Sequence, residues 1–426
     1  MLSQDSFQPA PASVRERIAA TLVRARQRDR TLHAFIELDA ARAARRAAEL
    51  DALPPHARGP LHGMPVAVKE IIDMAGALCA WGSPLHAGRR PAHDALLVQR
   101  LAAAGAVPVG VTASTEYALA AAAATVHPRD ARRSPGASSS GSAAAVGAGL
   151  VPLALGTQTI GSVIRPAAYC GVVGFKPSFG RYPTDGILCL SARLDHAGVL
   201  AARVADVIAA DAVLAGIAAP ASLLAAAHGA TPALRVLQPW FGEEVSAAVS
   251  STLDGAYQRL RGAGFGLAPL SVDAGIAAAE TGLTDTLLTF ELARRHGAAL
   301  RAAPDKVSAK LLAMAERGAR VSEARFDEAV REQAALSARL DAMLRPGEIA
   351  LAPATVGTAP LLPEGSGSRA PQRLWTLAGM PALTLPAGTH GGLPVGLQLI
   401  GRRGEDAALL AAAARIEAVL GAASHG

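Results

Sequence analysis

Lysine is scarce in this chain, and its scarcity draws attention to one lysine in particular. Of the 41 basic residues only four are lysines, Lys69, Lys176, Lys306 and Lys310, and the others are arginines. Arginine supplies a fixed positive charge because it does not lose its proton in a protein, whereas a buried lysine loses its proton readily. Burial disfavours the ammonium form and lowers the pKa of the amine. Lys69 lies inside an apolar run, which indicates a need for a base that titrates near neutral pH.

Other absences exclude several classes of protein. The three cysteines, at positions 79, 170 and 189, are an odd and scattered set, which argues against a disulfide framework and for a reducing cytoplasm. No spacing of histidine, cysteine and acidic residues is typical of a zinc site, so we expect neither a metal nor another cofactor. The alanine-rich runs are interrupted by charge or glycine and are too short to cross a membrane. The first residues lack the pattern of a signal peptide.

The excess of positive charge is small for a chain of this length. The formal net charge is +6 over 426 residues, and the arginines alternate with alanines and acids, as in the segment 39–49. This pattern is typical of the solvated face of an amphipathic helix. Because the sequence has no RNA-binding signature and no phosphate loop, we expect no direct contact with nucleic acid.

Two serine segments contain what a nucleophilic site needs. Ser138 lies in Ser-Pro-Gly-Ala-Ser-Ser-Ser-Gly-Ser, over 134–142, and Ser162 follows Gly-Thr-Gln-Thr-Ile-Gly. Turns rich in glycine and serine leave backbone N–H groups free to hold a negatively charged oxygen. Together with Lys69, the two serines are sufficient for a nucleophilic site without histidine, and none of the 11 histidines lies in a motif. No Gly-x-Ser-x-Gly elbow surrounds either serine, which disfavours an α/β-hydrolase.

Each of these positions also has a structural interpretation. Lys69 would pair with Glu70 or Asp73, since most buried charges are paired. Serines in glycine-rich loops are usually turn or cap residues. Ser142, which precedes an alanine run, has the position of a helix N-cap. The residue types alone leave both interpretations open.

Taken together, these segments resemble the amidase signature family, whose members are serine hydrolases with a Ser–cis-Ser–Lys triad. The resemblance is dense over 63–180 and returns over 379–388 and 392–401. The spacing of the long serine–glycine signature is highly specific. In the stretches 156–159, 162–171 and 373–376 the sequence is most similar to bacterial malonamidases.

The resemblance implies a role for each site residue. Ser162 matches the nucleophile, Ser138 matches the serine that follows a cis peptide bond and relays the proton, and Lys69 matches the general base. Backbone N–H groups at the nucleophile turn match the oxyanion hole. The oxyanion hole would be formed by the N–H groups of Thr159, Ile160, Gly161 and Ser162. Two further residues, Thr157 and Ser139, would support the site, and Thr157 would orient it through its hydroxyl.

The chemistry implied is acyl transfer in two halves. Neutral Lys69 takes a proton from Ser138, Ser138 takes one from Ser162, and Ser162 forms an acyl-enzyme as ammonia or an amine leaves; water then attacks through the same relay. Two residues depart from the family pattern, because Ala137 and Ile160 stand where the family usually has glycine. At Ile160 a positive φ would be strained, and its bulk would either narrow the pocket or displace an oxyanion donor.

Evidence for the substrate is thinner. Arg165 lies three residues after the nucleophile, where an arginine in the malonamidase pattern holds the carboxylate of the substrate. A guanidinium would suit a short carboxylated amide; the alternative is a structural arginine that bonds local carbonyls or an acid. Tyr117, Trp81 and Trp375 are candidate pocket walls, although aromatic residues are more often core. Lys176 is expected to be structural.

Three functions are compatible with the sequence. The first is a small-amide hydrolase of the malonamidase or biuret-hydrolase type. The second is the catalytic A-type subunit of a tRNA-dependent amidotransferase, which passes ammonia to a partner bound to tRNA. Gln158 and Arg165 favour the first. The third is an inactive binding protein on the same scaffold, supported only by Ile160.

The alternation of helical and strand patterns indicates an α/β fold, and the resemblance implies a central mixed β-sheet covered on both faces by α-helices. No linker divides the chain, so we expect a single domain; the resemblance also allows a homodimer, which the sequence itself does not show. The domain would comprise N-terminal helices over 1–60, the signature core over 61–200, a mostly helical variable region over 201–345 and a C-terminal return to the core over 346–426. The predicted elements are helices at 12–28, 36–52, 93–104 and 406–420, strands at 64–68, 106–111 and 151–155, and a short helix from Ser142.

Overall fold

One mixed β-sheet runs through the molecule. The structure, a computed structural model, describes residues 13–217, 232–238, 243–272 and 274–421. Within these residues, the strands β1 to β11 are Phe35–Leu38, Pro65–Lys69, Val107–Thr112, Leu153–Gln158, Val173–Lys176, His196–Ala201, Leu234–Leu237, Leu267–Leu270, Ile349–Pro353, Ala382–His390 and Leu393–Ile400. They join in the order β1-β3-β2-β4-β6-β5-β10-β11-β9-β7-β8. The pairs of β2 with β3 and β4, and of β7 with β8 and β9, are parallel. The strands between β4 and β9 in this order pair antiparallel, as does β1 with β3.

Helices cover both faces of this sheet, as predicted. In the described part of the chain, α1 to α12 are Val14–Leu32, Ala40–Asp51, Leu96–Ala103, Ser140–Gly147, Ile164–Cys170, Val204–Ala215, Ala247–Gly262, Ala274–Ala302, Ala309–Ala319, Glu323–Asp341, Ala370–Leu377 and Asp406–Gly421. Helices α1, α2, α4 and α5 share one apolar core with the sheet, and α3, α6, α7 and α12 share another. The α8, α9, α10 and α11 helices build a third core beside the end of the sheet where Lys69 lies.

The parallel strands β2 and β4 bring the predicted site together. Both strands are buried along nearly their whole length, and both are runs of small and branched apolar residues, as expected for strands covered on two faces. Lys69 is the last residue of β2, and Gln158 is the last residue of β4. Because the carboxyl ends of parallel strands meet at the same edge of a sheet, Lys69 and the turn that carries Ser162 become neighbours.

The start of the second helix is a prediction that proves wrong. The sequence pattern predicts a helix throughout 36–52, but the first residues of this segment belong to β1, which pairs antiparallel with β3. Helix α2 begins only at Ala40, and the side chain of Asp39 caps it by accepting the N–H of Arg42 at 2.9 Å. Pairing with a neighbouring strand therefore overrides the helical pattern of the sequence.

The N-cap prediction at Ser142 is also wrong. Helix α4 begins at Ser140, so Ser142 lies inside its first turn. Its buried hydroxyl donates to the carbonyl of Leu155 at 2.8 Å and bonds the hydroxyl of Thr112 at 2.7 Å. Ser142 thus joins α4 to β4 and β3, and the small residues of α4 allow this close packing.

In the described part of 201–345, α6 to α10 are the helices, and the strands β7 and β8 form one edge of the sheet. The predicted start of the first helix, residue 12, lies outside the described residues. Among the described helices, none combines the length and apolar character that crossing a membrane requires. The single-domain organisation stays a prediction, and it requires one cooperative unfolding transition.

Candidate active site

Lys69 is buried at the end of β2, with three hydroxyl groups around its amine. Its Nζ donates to Ser138 Oγ at 2.8 Å, to Thr157 Oγ1 at 2.8 Å and to Ser139 Oγ at 3.1 Å. Burial lowers the pKa of Lys69 to about 7, and the negative charges of Glu70 and Asp195 oppose this effect only in part. An amine with this pKa is able to accept and return a proton near neutral pH.

Neither acid that the sequence offered as a structural partner pairs with Lys69. The carboxylate of Glu70 accepts the backbone N–H groups of Gly82 at 2.9 Å and Ser114 at 2.6 Å. Asp73 pairs instead with Arg89 at 2.7 Å. Among the described residues, the hydrogen-bond partners of the Lys69 amine are therefore hydroxyls rather than carboxylates.

The two serine segments meet beside this amine. The peptide bond between Ala137 and Ser138 is cis. The backbone N–H of Ser139 donates to the carbonyl of Ser162 at 3.3 Å, which ties one segment to the other. Ser138 and Ser162 line the same cavity, which has a volume of about 310 Å³. The structure thus brings Lys69, Ser138 and Ser162 together, although they are far apart in the chain.

Gln158 shapes the turn that carries Ser162. Its buried side-chain oxygen accepts the N–H groups of Val163 at 2.8 Å and Ile164 at 3.0 Å, and its nitrogen donates to Thr376 Oγ1 at 2.9 Å. The side chain therefore satisfies backbone donors at the start of α5, which would otherwise lack partners. In the sequence Gln158 served only to favour a small-amide hydrolase, and the structure gives it this bracing position.

Helix α11 holds the peptide planes of the same turn. Thr376 Oγ1 donates to the carbonyl of Ile160 at 2.6 Å. Because the C=O and the next N–H of a trans peptide point in opposite directions, this bond aims the N–H of Gly161 away from Thr376. A side chain at Gly161 would force Gln372 to move, since an added Cβ would lie 2.6 Å from Gln372 Oε1. The sequence analysis missed Thr376, whose only signal was its place in the malonamidase-like stretch 373–376.

Backbone N–H groups remain available at the predicted oxyanion hole. Among the described backbone hydrogen bonds outside the helices and strands, none has the N–H of Thr159, Ile160, Gly161 or Ser162 as its donor. Four non-glycine residues of the described chain have a positive φ, and Ile160 is not among them. Its backbone therefore lacks the strain that the sequence raised as a concern. The side chain of Ile160 is buried and lines the cavity, where it takes up room.

Thr159 is held by a buried acid. Its hydroxyl donates to Asp195 Oδ1 at 2.7 Å, and Asp195 Oδ2 accepts the N–H groups of Leu190 at 2.6 Å and Ser191 at 3.0 Å. Burial raises the pKa of Asp195 to about 6, and these hydrogen bonds counteract part of that effect. Asp195 thus connects the nucleophile turn to the loop before β6, a link that the sequence analysis did not anticipate.

Arg165 lines the cavity but uses its guanidinium on main-chain atoms. Its Nη1 donates to the carbonyl of Gly367 at 2.6 Å and its Nη2 to the carbonyl of Ala137 at 2.7 Å. Its Nε is buried and has no hydrogen-bond partner among the described atoms. Burial lowers the pKa of this guanidinium to about 10. The arrangement is the structural one that the sequence offered as an alternative, and the contact with a substrate carboxylate stays a prediction.

Two further cations line the cavity, and the sequence analysis singled out neither. They are Lys310, in the first turn of α9, and Arg369, the residue before α11. The scarcity of lysine was a signal for Lys310. By contrast, Tyr117 and Trp375 are buried in the core, and neither they nor Trp81 are among the described lining residues of this cavity.

The comparisons with known proteins agree with this geometry. The family model described as Amidase matches residues 16–410. The chain belongs to the amidase family. As a member, it is an enzyme that acts on the carbon–nitrogen bonds of amides, and the resemblance stated from the sequence is confirmed.

Individual family members resemble the chain over nearly its whole length. The A-type subunit of glutamyl-tRNA(Gln) amidotransferase from Anaeromyxobacter sp. (strain K) is 33% identical, covering 95% of this chain and 93% of the relative. The crystal structure of the native peptide amidase from Stenotrophomonas maltophilia is 30% identical, with a TM-score of 0.83 over 96% of this chain and 94% of that one. A structure described as a vestigial protein complex that reveals the evolutionary origins of an s-triazine catabolic enzyme is 28% identical, with a TM-score of 0.85 over 96% of this chain and 95% of that one.

Proposed function

We propose that this amidase-family member hydrolyses a small linear amide that carries a carboxylate, through an acyl-enzyme on Ser162. The observation that carries the proposal is the buried Lys69 amine, with its pKa of about 7, in contact with Ser138 Oγ beside the cavity that Ser162 lines. A buried base of this kind has no need of a histidine.

In the proposed reaction, neutral Lys69 takes the Ser138 proton while Ser138 Oγ takes the proton of Ser162. Ser162 Oγ then bonds to the amide carbon, and the carbonyl oxygen becomes an oxyanion held by N–H groups of the nucleophile turn. The carbon–nitrogen bond breaks as the relay returns a proton to the leaving nitrogen, which departs as ammonia. Water adds to the acyl-enzyme by the same relay, and the carboxylic acid and free Ser162 are released.

A carboxylated substrate is supported by the charge of the cavity. Arg165, Lys310 and Arg369 line it, and the described lining residues include no aspartate or glutamate. A partly enclosed cavity of one charge sign concentrates ligands of the opposite sign. Malonamate, which carries one carboxylate and one amide, is the size of substrate that the bulk of Ile160 favours.

A second candidate is the A-type subunit of a tRNA-dependent amidotransferase. It is supported by the glutamyl-tRNA(Gln) amidotransferase relative, which is 33% identical over 95% of this chain. Glutamine, which carries an ammonium group as well as a carboxylate, is less suited to a cavity whose described lining has cations and no acid. A biuret-type or carboxybiuret-type substrate is a further alternative, and a structure connected with the origins of an s-triazine catabolic enzyme is among the structural relatives.

The test is ammonia release from malonamate, malonamide, biuret, glutamine, an aliphatic amide and an aryl acetamide, with Ser162→Ala as the blank. We expect turnover of malonamate that falls by on the order of 10⁴ or more in the blank, because the nucleophile is lost. Turnover that persists in Ser162→Ala would contradict the proposed nucleophile. Activity on glutamine alone, and only with a copurified partner, would favour the second candidate.

A further inference from the structure

Lys310 and Arg369 occupy positions where a positive charge is locally unfavourable. Lys310 lies in the first turn of α9, and Arg369 immediately precedes α11; neither helix has an acid in its first turn. The N-terminus of a helix carries partial positive charge, so a cation there is repelled. Residues that break a local rule without a structural gain tend to lie at functional sites.

Nearby cations on the same helices are paired, but these two are not. Arg317 on α9 pairs with Asp285 at 3.3 Å, and Arg373 on α11 pairs with Glu280 at 3.4 Å. Among the ion pairs of the described residues, none includes Lys310 or Arg369. Asp285 and Glu280 thus pair with helix residues that are not among the described lining of the cavity, and within the described residues the two lining cations have no carboxylate at ion-pair distance.

The cavity cations also repel each other. Partial burial, followed by the positive charges of Arg369 and Arg165, lowers the pKa of Lys310. Burial and the charge of Arg373 lower the pKa of Arg369, while Asp285 and Glu280 act in the opposite direction. An anion bound between the cations would relieve this repulsion, because each cation would gain an opposite charge.

Hydrogen bonds connect both α9 and α11 to segments that line or carry the site. The buried carboxylate of Glu116 accepts the N–H of Ser308 at 3.2 Å, and Ser308 caps α9 just before Lys310. Thr115, next to Glu116, lines the cavity. Helix α11 reaches the nucleophile turn through Thr376, as described above. The helices next to the two cations are therefore tied to segments that line the cavity.

We propose that Lys310 and Arg369 form the anion-binding pair of the substrate site and select amides that carry a carboxylate, while Arg165 holds the Ser138 loop in place behind them. This inference rests on the proposed function. It assigns selectivity to residues of the variable region and of α11, outside the signature core over 61–200.

The first experiment compares kcat/KM for malonamate and for malonamide, its neutral counterpart, in Lys310→Met, Arg369→Gln and the double variant. Each single substitution is expected to lower the malonamate preference about tenfold through KM, because one charge contact is lost. The loss should be larger for malonamate than for malonamide in each variant, and Arg369→Lys should recover part of the preference. Lys306→Met, an exposed lysine that does not line the cavity, is the matched control.

A binding experiment keeps the inference testable if turnover of these amides is absent. Calorimetry with malonate, succinate and glutarate on the otherwise intact Ser162→Ala protein should show binding that weakens about tenfold in Lys310→Met and Arg369→Gln and is unchanged in Lys306→Met. Absence of binding by all three acids, or equal binding in all variants, would overturn the anion pair. Loss of turnover with intact, cation-dependent binding would instead contradict the proposed function alone.

Discussion

Two lysines of this protein are equally buried, yet their surroundings differ in one respect. Burial lowers the pKa of both Lys69 and Lys176 to about 7. The amine of Lys69 contacts three side-chain hydroxyls. The amine of Lys176 donates to two backbone carbonyls, those of Pro177 at 2.9 Å and Met380 at 2.6 Å.

The comparison separates what makes a base from what makes a structural contact. A hydroxyl both donates and accepts, so the hydroxyls around Lys69 remain bonded whether the amine is charged or neutral, and they pass a proton on. A carbonyl only accepts, so the partners of Lys176 have no proton to give. A lowered pKa alone thus fails to distinguish the proposed base from a structural lysine, whereas the chemistry of the neighbouring groups distinguishes the two.

Replacing each lysine by methionine should give the largest contrast. Lys69→Met is expected to lower kcat on the order of 10³-fold or more, because the general base is lost. Lys176→Met should leave kcat of the folded protein unchanged and lower the free energy of unfolding by about 2–4 kcal/mol, because two buried carbonyls lose their donor. Kinetics and urea unfolding of both variants measure this.

Lys69→Arg sharpens the same contrast, because it keeps the charge and removes the titrating amine. Full activity in this variant would contradict the relay. Equal losses of activity in the folded Lys69→Met and Lys176→Met proteins would show that the two sites are not distinguished by their partners.

A smaller effect is expected from the hydroxyls around Lys69. Thr157→Val removes one of the three hydroxyl partners and should lower kcat/KM on the order of tenfold, since the amine loses a hydrogen bond that orients it. Thr157→Ser keeps the hydroxyl and is the matched control. If Val and Ser reduce the rate alike, the methyl group of Thr157 matters and its hydroxyl does not.

Both lysines should make the free energy of unfolding depend on pH in the same way. Between the folded pKa of about 7 and the ordinary value of 10.5, the unfolded chain holds a proton that the folded chain has released. The free energy of unfolding therefore rises with pH in this window, by about 1.4 kcal/mol per pH unit for each lysine, and the penalty of burial is complete below pH 7. Urea unfolding between pH 7.5 and 9.5 should show a shallower slope in either methionine variant. An unchanged slope would mean that the lysine keeps its ordinary pKa.

The dependence of kcat/KM on pH should reflect Lys69 but not Lys176. With wild type, kcat/KM should rise about tenfold per pH unit below pH 7 and level off above it, because the neutral form of Lys69 is the base. Lys176→Met should retain this profile. A profile that shifts in Lys176→Met would mean that the two amines are coupled.

The sequence was sufficient to predict the meeting of Lys69, Ser138 and Ser162, since each lies in a segment whose spacing is specific to the family. The mixed sheet between helices was predictable as well. The strand before Ala40 and the inward bonds of Ser142 were not, because pairing with β3 and packing against β4 depend on residues distant in the chain. The same reason hides the contacts of Thr376, Lys310 and Arg369, which reach the site from more than 140 residues beyond Ser162.

The guanidinium of Arg165 links the loop that precedes Ser138 to the loop that precedes Arg369. One bond holds the carbonyl next to Ser138, and the other holds Gly367, two residues before Arg369. We therefore expect a substitution at Arg165 to displace both Ser138 and the segment before Arg369, so that kcat and the preference for carboxylated amides fall together. By contrast, substitutions at Lys310 and Arg369 should alter substrate preference while Lys69, Ser138 and Ser162 keep their positions.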